Sequence, residues 1–280
     1  MSQTRVLIDG LRFPEGPRWH ADRFWFSDMH DGKVIASTLD GQTETIVEVS
    51  EDPSGLGWLP DGRLLVVSMK DRRLLRLDPG GLTVVADLSP HATFHCNDMV
   101  VDAKGRAYVG NFGFDLNAGE KPISANLILV HPDGRCEVAA DDLHFPNGTV
   151  ITPDGKTLIV GESFGAILTA FDIAEDGSLD GRRVWAKIEG DVPDGICLDE
   201  EGAIWLASPV GTGGVLRVLE GGEVTDRIAV EHDAFACMLG GPDRKTLFIC
   251  TAASSDPAKT GDRLGRIEIA EVAVPGAGWP

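Results

Sequence analysis

The sequence is poor in three things that whole classes of protein depend on. Aromatic side chains make up 6% of the 280 residues, with a single tyrosine, and no apolar run approaches the ~18 residues that a membrane-spanning helix needs. Positive charge is scarce: 25 Lys and Arg stand against 44 Asp and Glu, a formal net charge of −19. Such a surface repels phosphate backbones and anionic lipid, so neither nucleic acid nor membrane is an expected partner. The five cysteines, at 96, 136, 197, 237 and 250, follow no CxxC or disulfide-framework spacing. They read as buried free thiols of a reducing cytoplasm. The first 13 residues carry no apolar run and no small-residue cleavage site, so no secretory signal is expected. GxGxxG and P-loop motifs are missing, and Gly161-Glu-Ser163-Phe-Gly165, although it has the letters of Gly-x-Ser-x-Gly, falls between two strands of one unit and not on the strand-to-helix turn of a nucleophile elbow. Dinucleotide binding, P-loop phosphate chemistry and Ser-His-Asp catalysis therefore have no local support.

Glycine, by contrast, is abundant, with 34 residues. Together with many short apolar runs it points to strands joined by tight turns. One unit recurs six times. Its opening strand reads Phe13-Pro-Glu-Gly-Pro, Asp52-Pro-Ser-Gly-Leu, His95-Cys-Asn-Asp-Met, Phe145-Pro-Asn-Gly-Thr, Val192-Pro-Asp-Gly-Ile and Phe235-Ala-Cys-Met-Leu. Turns follow at matching offsets, among them Pro60-Asp61-Gly62, Pro153-Asp154-Gly155 and Asp199-Glu-Glu-Gly202, each leading into a β-branched strand. Taking Glu15, Ser54, Asn97, Asn147, Asp194 and Cys237 as the register, the spacings are 39, 43, 50, 47 and 43 residues. A four-stranded propeller blade takes ~40–50 residues. The expectation is an all-β, six-bladed β-propeller with four-stranded blades, filling 1–280 as a single domain. The segment Arg5 to Phe13 resembles those leading into later units and is expected to close the last blade as its outermost strand.

In a propeller the residue just before each innermost strand lies at one mouth of the central channel, so the register residues should converge. Glu15, Asn97, Asn147 and Asp194 are polar groups that resist burial without a partner. Two carboxylates and two amides offer only hard oxygen ligands, which favour Ca²⁺, Mg²⁺ or Mn²⁺ over a thiolate or imidazole site; Zn²⁺ and Fe²⁺ stay open. Any one Pro-Asn-Gly or Pro-Asp-Gly taken alone is only a turn.

These pieces, Phe13-Pro-Glu-Gly-Pro, Cys96-Asn-Asp98, Phe145-Pro-Asn-Gly148 and Val192-Pro-Asp-Gly195, taken in order, resemble the SMP-30/gluconolactonase/luciferin-regenerating-enzyme family of six-bladed propellers. The resemblance implies that Glu15, Asn147 and Asp194 hold one divalent metal, with Asn97 beside the metal and the substrate and Asp194 as general base. It implies a metal-dependent opening of a small lactone. Sugar lactonases of the family often carry Arg two residues before the Asn of the Cys-Asn-Asp motif; here that residue is His95, which lacks the fork of donors that suits polyhydroxy or carboxylate groups. His95 either lines the pocket or bonds to a neighbouring blade. Substrate contacts are expected from loops at the same mouth: Phe112 and Phe114 on the long loop 111–125, suggesting an apolar or ring-shaped substrate part, Glu162, Ser163 and Phe164 at the equivalent place in the next blade, and Ala252 to Asp262 in the last. Alternatives are a phosphotriesterase or aryl esterase using the same ion, and a non-catalytic binding propeller.

Overall fold

The structure, a computed structural model, describes residues 4–278. Their strands form six four-stranded antiparallel sheets arranged as the blades of a propeller. The innermost strands are Pro14–His20, Pro53–Trp58, Cys96–Val101, Pro146–Ile151, Ile196–Leu198 and Asp233–Gly240. Among the described residues helix is confined to three 3₁₀ turns, Met29–Asp31, Ser163–Gly165 and Thr260–Asp262, each between the second and third strands of its blade. The last blade is closed by the first strand of the chain: Arg5–Leu11 pairs antiparallel with Gly265–Glu271, so the ring is fastened by hydrogen bonds between its two ends. Apolar layers between adjacent blades form the core, the largest joining the last blade to its neighbours around Phe24, Phe26, Leu247 and Phe248.

A local irregularity repeated around the ring aims the register residues at the axis. In the fourth blade Pro146 faces Glu162 and Thr149 faces Val160, so three steps on the inner strand match two on its neighbour. The same one-residue bulge follows Glu15, Pro53 and Cys96. A bulge leaves its extra residue out of the ladder and turns its side chain. In the fifth blade the motif lies just ahead of the strand and is tied to the sheet by Asp194 N donating to Ala207 O (2.9 Å) and Ala207 N donating to Gly195 O (3.0 Å).

The glycine after the register residue has its own cause. Inner strands of adjacent blades nearly touch there: Gly148 N donates to Asp194 O at 3.1 Å, and a Cβ on Gly148 would lie 2.4 Å from Ile196 N. The third blade has Asp98 at this position, paired with Arg18 across the axis.

The sixth register residue needs correction. The bulge in the last blade falls between Ala234 and Ala236, which puts Phe235 at the axial position. Cys237 lies two residues further along the strand, buried 4.0 Å from Cys197 between the fifth and sixth blades. This blade has no Pro-x-Gly to mark its register, so apolar matching alone slipped by one side-chain alternation.

Candidate functional site

Glu15, Asn97, Asn147, Asp194 and Phe235, from five different blades, line the floor of a cavity of about 670 Å³ that opens at one mouth of the channel. Hydrogen bonds orient the two amides. Asn97 Nδ2 donates to Pro146 O (3.4 Å), which can only accept. Ser163 Oγ donates to Pro193 O (2.7 Å), so it must accept from Asn147 Nδ2 (3.2 Å). Both amide nitrogens are thus engaged by protein, which leaves the Oδ1 atoms available to the cavity. Glu15 Oε2 accepts from Gly16 N at 2.9 Å.

The two floor carboxylates reach the cavity with part of their surface, while protein fills nearly every other direction around them. Burial raises the Glu15 carboxyl well above its ordinary range, and the facing Asp194 raises it further. Burial likewise raises Asp194, against a hydrogen bond from Asn147. Just beyond the floor, Arg18 Nη2 donates to Asp98 Oδ1 at 2.7 Å, both side chains almost fully buried. Three carboxylates and one guanidinium leave this region a formal surplus of two negative charges. A divalent cation cancels that surplus, and two carboxylates with two amide oxygens are donors that hard cations accept. The residues present therefore fit such an ion, although among the described residues no three of His, Cys, Asp and Glu converge as a metal-binding group.

Above the floor a second ring lines the walls: Phe13, Asp52, His95, Phe145, Val192 and Asp233, each two residues ahead of an axial residue. Phe13 stacks on His30 and meets Phe235 edge-on, both at 4.8 Å. Phe112 stacks on Phe145 at 4.5 Å, and Phe145 is 5.2 Å from Phe164. Asp52 pairs with Lys70 at 2.7 Å. His30 is held neutral by burial, its pKa pushed down to about 4; its Nδ1 lies 3.0 Å from Thr260 Oγ1.

The SMP-30/Gluconolactonase/LRE-like region model matches residues 13–253. The chain belongs to this family. Pentonolactonase XacC of Haloferax volcanii is 27% identical, the match covering 99% of this chain and 96% of that protein. Regucalcin of Danio rerio is 31% identical over 61% of this chain and 59% of its own length. Among solved structures, the calcium-binding protein regucalcin from Agrobacterium tumefaciens superposes with a TM-score of 0.82 at 23% identity, covering 100% of this chain and 97% of that one.

The family propeller gathers most, though not all, of the residues expected at the site. His95 lines the cavity, stacked on Phe94 at 4.0 Å, and burial lowers its pKa. Phe112 also lines the cavity. Phe114 does not: it is buried beneath the loop, edge-on to Phe145 and Phe164. Glu162 stays outside the cavity as well. Its carboxylate is fully buried and accepts from His144 N, Thr169 Oγ1 and Arg182 Nη2. It ends the second strand of its blade, and the residue after it, Ser163, turns inward instead. Ser163 and Phe164, expected beside Glu162, do line the cavity, and so do Leu116, Val210, His30 and Lys70, which the sequence reading did not name. For His30 and Lys70 a signal existed, since each lies, like Phe164, two residues past the end of the second strand in its blade.

Proposed function

We propose that the protein is a divalent-metal-dependent hydrolase that opens a small lactone. The observation that carries this reading is the convergence of Glu15, Asn97, Asn147 and Asp194 on the floor of a largely apolar cavity. Relatives named pentonolactonase and gluconolactonase support it. Glu15, Asn147 and Asp194 would hold the ion, with Asn97 at its side, and Ca²⁺ is the first candidate because of the oxygen-only donor set and the calcium-binding relative. A bound divalent ion supplies Lewis-acid polarisation of the lactone carbonyl.

The chain's own groups do the rest. The rings of Phe112 and Phe145 on the wall and Phe235 on the floor exclude water around the lactone. Asp194 accepts a proton from the attacking water as its oxygen bonds to the carbonyl carbon. Asn97 Nδ2 has a second hydrogen beyond the one given to Pro146 O, and it donates this to the oxyanion. When the ring C–O bond breaks, Asp194 returns the proton to the departing alkoxide, so the net change is addition of one water. Five free cysteines fit a reducing compartment such as the cytoplasm. The test is a panel of five- and six-membered lactones assayed by acid release, with Ca²⁺ and then with excess chelator. Opening that stops with chelator and returns with metal is expected. Absence of metal-dependent opening across the panel, with aryl esters or phosphotriesters turned over instead, replaces the lactone in this reading.

A further inference from the structure

A lactone ring alone does not fill this cavity. Six non-hydrogen atoms, at roughly the 30 Å³ that a water molecule takes in the liquid, occupy about a quarter of the 670 Å³. The remaining space is divided by chemistry. On the side of the third, fourth and fifth blades, Phe112, Phe145 and Phe164 form a continuous aromatic ladder from just above the floor to the mouth. At the mouth it ends in three apolar side chains open to solvent: Leu116 (41% exposed), Phe164 (49%) and Val210 (59%). The three come from three consecutive blades and line one opening. The opposite side carries the polar His30, Asp52, Lys70, Asp233, Ser254 and Ser255 beside the apolar Phe13, Met29 and Met69.

Charge narrows the choice further. Four carboxylates line the cavity (Glu15, Asp52, Asp194 and Asp233), and Lys70 is its one Lys or Arg among the described residues. Lys70 is already paired with Asp52. No unpaired Lys or Arg lines the cavity among the described residues to meet an acidic tail on the substrate, and a polyhydroxy chain laid on the aromatic ladder would lose its hydrogen bonds to water without replacement.

We infer that the substrate is a neutral lactone bearing an alkyl or aryl tail, with the ring on the axial floor and the tail lying along Phe112, Phe145 and Phe164 to leave between Leu116 and Val210. This rests on the lactonase reading for the identity of the ring, but the tail groove is testable without turnover. The Ca²⁺-loaded protein is titrated calorimetrically with non-hydrolysable γ-lactams whose ring substituent runs from hydrogen to hexyl. Affinity should rise roughly two- to fourfold per methylene until the tail passes the rim, with an increasingly negative heat-capacity change. A hexyl tail ending in carboxylate should bind at least about tenfold more weakly than its methyl-ended counterpart. Phe164→Ser with Val210→Ser, two exposed positions, should flatten the dependence on chain length. Affinity that is flat or falling with chain length, or tighter binding of the carboxylate-ended tail, overturns the inference. Lactams that bind with the expected slope while no lactone is opened leave the groove standing and remove the reaction. Lactones opened without any chain-length dependence do the reverse.

Discussion

Arg18 and Asp98, 80 residues apart in sequence, meet across the axis of the propeller at 2.7 Å, and Arg18 also donates to Pro17 O and Met99 O. The pair joins the inner strands of the first and third blades and sets the charge under the floor. Breaking one side of a buried pair leaves the other charge uncompensated, at a cost of ~3–5 kcal/mol, whereas replacing both sides by apolar groups is often close to neutral. Arg18→Met should therefore lower the melting temperature strongly, and Arg18→Met with Asp98→Leu should recover much of the loss. Denaturant melts of the two singles and the double measure the coupling; additive losses would remove the pair from this account.

Metal binding should stabilise the fold by mass action, by ~2.7 kcal/mol when free ion is a hundred times its dissociation constant. Chelator should lower the melting temperature, and Ca²⁺, Mg²⁺ or Mn²⁺ should restore it. Glu15→Gln and Asp194→Asn each keep an oxygen donor but remove one of the charges the ion neutralises, and both should weaken binding. Thermal melts at graded ion concentration check this; an unchanged response in Asp194→Ala would place the ion elsewhere.

The fold was legible because one physical constraint repeats. Five of the six inner strands carry a bulge near their start, and in four blades a glycine (Gly16, Gly55, Gly148 and Gly195) follows the axial residue where the next blade leaves no room for a Cβ, so Pro-x-Gly recurs at blade spacing. Where the constraint changes, legibility fails. Ala236 replaces the glycine in the last blade, and with it went the register that would have named Phe235. The site's polar floor followed from the same repeat. Its walls did not, because inward and outward residues alternate at the strand ends. Glu162 and Ser163 are neighbours that face opposite ways, and only the ladder register separates them.

Stability of the chelated protein should depend on pH in a definite sense. Asp194 has its folded-state pKa raised to about 8, and Glu15 is raised as well. A raised acid binds more protons folded than unfolded, so stability should fall as pH climbs from the ordinary carboxylate range toward about 8. His30, pushed down to about 4, acts on the other limb: the unfolded chain takes up its proton first, so stability should also fall as pH drops from 6.5 toward about 4. Saturating Ca²⁺ should abolish the alkaline limb, because the ion replaces the protons, and should leave the acid limb in place at ion concentrations that keep the site full. A loss of ~1 kcal/mol corresponds to roughly 2–4 °C, within reach of melts at matched ionic strength. An alkaline limb that persists with the metal present would mean that other groups produce it.

The chemical step should separate base from ligand. Asp194→Asn retains an oxygen donor but cannot accept a proton, so with saturating metal it should lower kcat by ~10²–10⁴-fold while changing KM far less. That pattern is the one expected for an interaction that matters in the transition state more than in the ground state. The bound cation favours the ionised carboxylate, so in the loaded enzyme Asp194 should titrate well below its metal-free value. The pH–rate profile of the wild type should then rise on the acid side and be flat through neutrality, and the rise should vanish in Asp194→Asn. His95→Ala, which alters the wall and not the floor, should change the ranking of lactones with little change in that profile. Steady-state kinetics of the wild type and both variants on one lactone panel decide the matter. An Asp194→Asn enzyme with kcat intact and KM raised would make Asp194 a ligand only, and the proton would then need another acceptor on the floor, with Glu15 the remaining carboxylate there.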